Sequence, residues 1–305
     1  EGPKFLKKDG WYYILAPAGG VETGWQVALR SRQIYGPYEH KIVLAQGDTD
    51  INGPHQGALV DTRNGEWWFI HFQDAGLYGR VTHLQPVQWE DGWPLMGKDC
   101  EPVQRHAKPK LPPQPRCAPQ TSDEFTGPQL GLQWQWHANH HDDWCSLAAR
   151  PGWLRLFPQP AVTPPSEQPN LLLQKLPARS FTVETALEFH PGQDGEEAGL
   201  VVTGQTQVML GIQRRGTANW VVWRANDRQE YVRETKSSLV RFRVAMRDGG
   251  LCSFSFADAG TLLPLPATFQ AHKGVWIGGK VGLYSLRRSH HPPHGHADVD
   301  YFRFE

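Results

Sequence analysis

The chain has 305 residues, room for about two domains at ordinary domain sizes. Its 31 Lys plus Arg balance 31 Asp plus Glu, so the formal charge is zero. That balance gives no support for a nucleic-acid or anionic-membrane partner, and no apolar run approaches the length of a bilayer span. Thirteen tryptophans set among 31 glycines and 25 prolines suit an all-β protein whose clefts are lined by flat rings. Flat rings also stack on sugars, although Trp-rich β cores exist without any sugar.

The chain opens Glu1-Gly2-Pro3-Lys4, with no initiator Met and no basic-then-apolar leader. Either a propeptide has been removed or the numbering starts inside a longer protein. Within residues 1–97, Asp9-Gly10 precedes the aromatic run Trp11–Leu15, and Asn64-Gly65 precedes Glu66–Phe72. Asp-Gly and Asn-Gly favour the tight turns that join antiparallel strands. Each aromatic run leads to a further strand candidate, Gln26–Arg30 in the first copy and Arg80–Pro86 in the second. Gly10 and Gly65 lie 55 residues apart, near the length of one propeller blade with a long loop. A propeller closes with about four or more blades, and this segment holds roughly two. The expectation is that earlier blades precede Glu1.

Residues 98–121 carry six prolines and few apolar side chains, which reads as a semi-extended linker. Residues 122–305 then supply nine strand-like runs: Trp153–Phe157, Phe181–Phe189, Gly199–Thr203, Val208–Gln213, Trp220–Trp223, Val240–Met246, Cys252–Phe256, Lys280–Ser285 and Val299–Phe304. Phe181–Phe189 alternates apolar and polar as a sheet with one buried and one wet face does. With no convincing amphipathic helix, the pattern predicts a two-sheet sandwich.

Four cysteines, at 100, 117, 145 and 252, show no Cys-x-x-Cys spacing, against a zinc or iron–sulfur site. Cys100 and Cys117 flank the proline-rich stretch, which leaves open a bridge outside the cytosol or four free thiols. Two histidine-rich stretches, His137–Asp143 and Ser289–His296, lack the His-Glu-x-x-His spacing of a zinc hydrolase and read as exposed loops.

Several motifs, in this order and spacing, resemble glycoside hydrolase family 43, the β-xylosidase and α-L-arabinofuranosidase family. They are EGPKFLKKDGWYY at 1–13, ALRSRQIYGPYE at 28–39, NGPHQGALVDTRNGEWWFIHFQD at 52–74 and GRVTHLQPVQWEDGWP at 79–94. Further along come DEFTGPQLGLQWQWHAN at 123–139, EEAGLVV at 196–202, VGLYS at 281–285 and ADVDYFRFE at 297–305. The resemblance implies the last blades of a five-bladed β-propeller at 1–97, followed at 122–305 by a jelly-roll, concanavalin-like β-sandwich. It implies an inverting glycosidase acting on xylan, arabinoxylan or arabinan, secreted or periplasmic, with no cofactor required for the chemistry. A non-catalytic carbohydrate-binding or structural sandwich protein is the competing expectation.

By the same resemblance Glu1, in Glu-Gly-Pro, is the general acid, whose pKa must be raised toward neutrality. A free α-ammonium on Glu1 would act the other way. The base and the carboxylate that tunes the acid come from earlier blades, so this chain alone is expected to be inactive. Asp48, Asp50, Asp61 and Asp74 read as solvated turn or loop residues. His55, in Gly-Pro-His-Gln-Gly, corresponds to an axial histidine that meets a central cation; the plainer reading is a turn histidine bonded to backbone. Gln56 beside it, Arg80 after Gly79, Trp25 after Glu22-Thr23-Gly24, and Phe72 correspond to substrate-binding positions. A surface arginine and two core aromatics are the plainer readings of the last three. Asp123 and Asp298, with Glu124 and Asp300, stand at the two ends of the sandwich domain, where they could share a structural Ca²⁺ or remain separately solvated. The loop His190–Glu197 corresponds to one that approaches the sugar pocket, here without an aromatic plug.

Overall fold

A computed structural model describes residues 2–164, 167–225, 228–288 and 295–305. They are all-β apart from short single turns, and form two compact units. The first runs to Ala75 and resumes over Arg80–Arg116; the second comprises Gly76–Gly79 and Cys117–Glu305. The division falls within the proline-rich segment. Glu1 and residues 289–294, which include three histidines of the second histidine-rich stretch, lie outside the described residues.

The first unit contains β1 (Lys4–Lys8), β2 (Trp11–Ala18), β3 (Trp25–Ser31) and β4 (Glu39–Leu44), paired in that order into one antiparallel sheet. A second sheet follows from β5 (His55–Asp61), β6 (Trp67–Asp74), β7 (Arg80–Glu90) and β8 (Trp93–Met96), again in sequence order. Asp9 and Gly10 both take positive φ, and Lys8 faces Trp11, so they form the two-residue turn that Asp-Gly favours. Asn64-Gly65 sits at the equivalent place, between β5 and β6, in a longer loop. There the Gly65 amide donates to Thr62 O at 2.9 Å and the Thr62 amide to Glu66 O at 2.8 Å. The 55-residue spacing therefore joins equivalent hairpins of two four-stranded sheets. Leu15, Ala28, Val43 and Leu44 from one sheet and Phe69, Val87, Trp93 and Met96 from the other make a common core. Ile42, Val60, Ile70 and Leu84 remain exposed.

The second unit contains β9 (Gln135–Trp136), β10 (Cys145–Ser146), β11 (Leu154–Leu156), β12 (Gln159–Pro160), β13 (Leu172–Lys175), β14 (Phe181–His190), β15 (Glu197–Thr203) and β16 (Gln207–Arg215). It continues with β17 (Ala218–Ala225), β18 (Arg228–Thr235), β19 (Leu239–Met246), β20 (Leu251–Ala257), β21 (Leu263–Gln270), β22 (Lys280–Arg287) and β23 (His296–Phe304). One sheet runs β10-β11-β23-β14-β19-β20-β21, the other β18-β17-β16-β15-β22-β13-β9 with β12 on β22. Their facing sides share one large core, including Val183, Leu187, Phe242 and Phe254 from one sheet and Leu200, Leu210, Val221 and Leu283 from the other.

All nine strand-like runs fall on strands of this sandwich. The pattern did not mark β9, β10, β12, β13, β18 or β21; β18 and β21 are outer edges of their sheets. Edge strands tolerate charge and proline, and these read RQEYVRET and LPLPATFQ. Ala198–Val202 and Val208–Ile212 are near-continuously apolar because Val201 and Met209, on the far side of the sheet, join Leu171, Leu173, Tyr284 and Leu286 in a second buried cluster. All four cysteines are unbridged.

Candidate active site

Five of the sequence candidates, Trp25, His55, Gln56, Phe72 and Arg80, lie on strands of the first unit, and contacts join His55 to Phe72 and Phe72 to Arg80. His55 opens β5 and is buried. Its Nδ1 stands 2.7 Å from Gly53 O, so Nδ1 carries the proton and donates, and Nε2 is left as the ring acceptor. Nε2 faces Gly24, where an added Cβ would lie 2.7 Å away, as well as 2.6 Å from Gly20 O. Gly24 is thus the residue that lets the turn before β3 close on the imidazole. Trp25 follows it, 37% exposed, with its ring laid across Gly19.

Phe72 pairs with His55 across β5 and β6, and the two rings are 5.5 Å apart. The Arg80 guanidinium carbon lies 4.5 Å from the centroid of the Phe72 ring. The register between β5 and β6 shifts just after His55, and Gln56 takes φ +58, the local bend that re-aims a side chain at a bulge. Its amide donates to Oε1 of buried Gln26 at 3.1 Å. Gly2 lies against Gln56, since a Cβ there would meet Gln56 Cγ and Nε2 at 3.4 Å. The segment after Glu1 therefore packs onto the same cluster, although Glu1 itself lies outside the described residues.

Three supporting residues carried no sequence signal of their own. Gln26 and Gly24 hold Gln56 and His55 as described. Asn52 locks the loop before His55 to the end of β6: its Nδ2 donates to Asp74 O at 3.1 Å, and the Asp74 amide donates to Asn52 Oδ1 at 3.1 Å. Nothing about an isolated Asn, Gln or Gly announces such a role.

Deeper in the same sheet His71 is buried between Phe69 and His83, stacked on both. Burial pushes its pKa down to about 4, against a small opposing contribution from the bond to Phe72 O. Neutral His71 donates from Nδ1 to Phe72 O at 3.0 Å and accepts the Gln85 amide on Nε2 at 3.2 Å. It braces the strand that carries Phe72.

The metal candidates separate. Among the described residues His55 belongs to no group of three metal-ligating side chains. Ca²⁺ takes about six to eight oxygen ligands, so one imidazole would meet it through its water shell. Asp123 and the last strand do run side by side, through a backbone bridge between Asp123 and Phe302. The carboxylates are engaged separately. Asp123 accepts the Phe125 amide at 2.9 Å, Trp134 Nε1 at 2.8 Å and Gln133 Nε2 at 3.1 Å. Glu124 pairs with Arg303.

Asp298 is buried and takes Arg155 on both oxygens, at 2.7 and 2.8 Å, and Arg150 at 3.2 Å. Burial pushes its carboxyl up, but those guanidinium bonds outweigh it and hold the pKa below the usual range. Its metal-ligating neighbours are His190 and His296, all three within 4.8 Å of one another. Two guanidinium groups already neutralise that carboxylate, which leaves the trio a poor cation site. In the first histidine-rich stretch, His140 stacks on Trp136 and His141 tilts against Trp144, a packing role.

The profile described as Glycosyl hydrolases family 43 matches residues 1–94, and that described as Beta xylosidase C-terminal Concanavalin A-like domain matches residues 122–305. A putative beta-xylosidase of Xylanibacter ruminicola is 38% identical over 291 residues, covering 92% of this chain and 54% of that protein. A non-reducing end alpha-L-arabinofuranosidase of Bacteroides ovatus is 33% identical over 218 residues, 66% of this chain and 41% of that protein. Among solved structures, a xylan beta-1,4-xylosidase from Bacillus halodurans superposes with a TM-score of 0.87 at 26% identity, over 100% of this chain and 64% of that one. The chain thus spans about half the length of the relatives it matches.

Proposed function

Because the chain belongs to glycosyl hydrolase family 43, we propose that its first unit supplies the acid side of an inverting glycosidase site that releases terminal xylose or arabinose from hemicellulose. The observation that supports this is the packing of Gly2, the neighbour of Glu1 in sequence, on Gln56, which adjoins His55 and through it Phe72 and Arg80. In this reading Glu1 protonates the leaving glycosidic oxygen. A second carboxylate, roughly 6.5–9.5 Å away, removes a proton from the attacking water.

Each residue of the cluster has a role suited to a neutral sugar. Arg80 offers a flat fork of donors to hydroxyls, fixed in place by the Phe72 ring. Trp25 presents an accessible ring for stacking on sugar C–H groups. Gln56, held by Gln26, keeps its side-chain amide against Gly2. His55 orients the backbone of the Gly20–Trp25 turn, and no proton transfer is routed through it.

Asp61 closes β5 at the end remote from His55. We assign the base to blades beyond these 305 residues, so the chain by itself should not turn over glycosides.

The test is to assay aryl β-xyloside and aryl α-L-arabinofuranoside with the chain alone and with the longer protein that carries it. Expected are no turnover from the chain, turnover of one or both substrates by the longer protein, and a loss of about 10²–10⁴-fold on Glu1→Gln. Full activity of the Glu1→Gln protein would overturn the assignment of the acid, and turnover by the chain alone would overturn that of the base.

A further inference from the structure

The sandwich carries a polar cleft of about 550 Å³ outside the cluster described above, where the ends of β16 and β22 meet β18 and the loop before β15. Its lining includes Arg214, Arg215, Arg288, Gln213, Gln229 and Tyr231. We propose that this cleft is a second ligand site that takes the carboxylate of an acidic sugar, a hexuronate.

Charge is the first argument. Three guanidinium groups face the cleft, and among the described residues none has a carboxylate within 3.5 Å. Arg214 bonds the neutral amide oxygen of Asn219 at 3.3 Å. Arg215 lies over the Tyr231 ring, 4.5 Å from its centroid. Arg288 is 45% exposed and stands 3.9 Å from Glu197. The Glu197 carboxylate is already filled: it is 1% exposed and takes Arg224 at 2.8 Å, Gln213 at 2.8 Å and the Tyr284 hydroxyl at 2.8 Å. The one carboxylate in the lining, Asp194, is turned to the Gly216 amide at 2.7 Å. The wall is therefore a net cation, and an Arg fork is the group best shaped for a carboxylate.

Preorganisation is the second. The buried Glu197–Arg224 pair lies behind Gln213 and neutralises itself. Gln213 is pinned between that pair and the rim, donating to Glu197 and accepting the Tyr231 hydroxyl at 3.0 Å. Gln229 Oε1 accepts from Arg224 Nε at 3.0 Å and from a terminal nitrogen at 2.8 Å, so its NH₂ is the end left for a ligand. The loop before β15 is tied to the rim by paired bonds, Gly195 amide to Arg214 O and Arg214 amide to Glu196 O, both 2.9 Å. Little ordering is left for a ligand to impose.

Size and chemistry give the ligand class. Pockets for small organic ligands run from about 300 to 1,000 Å³, far more than an inorganic anion fills. Amide and phenol groups beside the guanidinium forks suit hydroxyls next to a carboxylate. That the anion is a sugar rests on the carbohydrate reading above; that the cleft takes an organic anion does not.

The experiment titrates the 305-residue chain with sodium glucuronate, glucose and inorganic phosphate, followed by ligand-observed saturation-transfer NMR and calorimetry. Expected is saturable glucuronate binding with Kd on the order of 1 mM, with glucose and phosphate each weaker by about tenfold or more. Arg288→Gln and Arg214→Gln should each weaken glucuronate by about tenfold while the thermal midpoint stays unchanged. Arg215→Gln, at the exposed rim, serves as a further variant should either of those fail to fold. No saturable glucuronate binding, equal binding of glucose or phosphate, or wild-type binding by the folded variants would each overturn the proposal. The two readings fail separately: Arg288→Gln should leave neutral aryl glycoside turnover by the longer protein unchanged, and Glu1→Gln should leave glucuronate binding unchanged.

Discussion

Gly24 stands so close to His55 that a single added carbon would sit 2.7 Å from the imidazole Nε2. The same carbon would press on two carbonyl oxygens, Gly20 O at 2.6 Å and Ala18 O at 2.8 Å, and neither belongs to a movable side chain. Gly24→Ala should therefore push the turn off His55 and displace Trp25 with it. The expected cost is about 1–3 kcal/mol of stability in the first unit, the range for overpacking. Chemical denaturation monitored by tryptophan fluorescence reads it, and an unchanged midpoint would contradict the close approach.

His71 predicts a pH dependence. Its pKa is about 4 in the folded chain and 6.5 when unfolded, so the unfolded state binds more protons between those values. Stability contributed by neutral His71 is complete above pH 6.5, falls as pH drops, and is fully lost below about 4. The span is about 3 kcal/mol for a shift of this size. His71→Gln, which titrates nothing, should be less stable at pH 7.5 but lose less on going to pH 4.5. Parallel pH profiles for the two proteins would show that His71 is not the group responsible.

Arg80 and Phe72 make a test at the proposed sugar site. The guanidinium is held flat by the ring beneath it, and lysine can reproduce the charge but not the plane. In the longer protein, Arg80→Lys should lower kcat/KM on aryl glycosides by about 10–100-fold, the loss of one or two oriented bonds to hydroxyls. The Glu1→Gln variant should show no further loss from this substitution if both serve one site. Undiminished kcat/KM would return Arg80 to the surface.

In the sandwich, Glu197 and Arg224 form a buried ion pair, 2.8 Å apart. Removing one partner leaves the other charge stranded, so Glu197→Ala should cost about 3–5 kcal/mol. Replacing both, Glu197→Leu with Arg224→Met, should cost clearly less than the sum of the single changes. Additive single and double effects in denaturant titrations would show that the two charges do not depend on one another.

Asp123 anchors the start of the sandwich through Phe125, Gln133 and Trp134. Asp123→Ala should destabilise the second unit by about 1–3 kcal/mol, leaving the Trp134 N–H without its acceptor. Adding Ca²⁺ or a chelator should leave the melting temperature of the native protein where it is. A calcium-dependent rise of several degrees would support the shared site.

The sequence by itself determined the class of fold and the order of its parts. Period-two alternation such as Phe181–Phe189, Asp-Gly turns and a proline-rich break are local signals, and their physics is local too. Two of the strands it left unmarked have sequences that reflect position in a sheet: β18 and β21 carry charge and proline because one edge of each meets no neighbouring strand. The resemblance also brought forward Trp25, His55, Gln56, Phe72 and Arg80, but as separate letters.

Tertiary structure alone decided which of them touch, because the contacts of Gly2 with Gln56, Gly24 with His55, and Phe72 with His55 and Arg80 depend on strand register and on a bulge after His55. It likewise separated Asp123 from Asp298. Both sit at ends of the same domain, yet each carboxylate had nearer hydrogen-bond donors, and a buried charge goes to the donors that desolvate with it. The arginine-lined cleft was invisible in the sequence for the same reason. Arg214 and Gln229 come from β16 and β18 and Arg288 follows β22, and only the sheet order sets their side chains around one space.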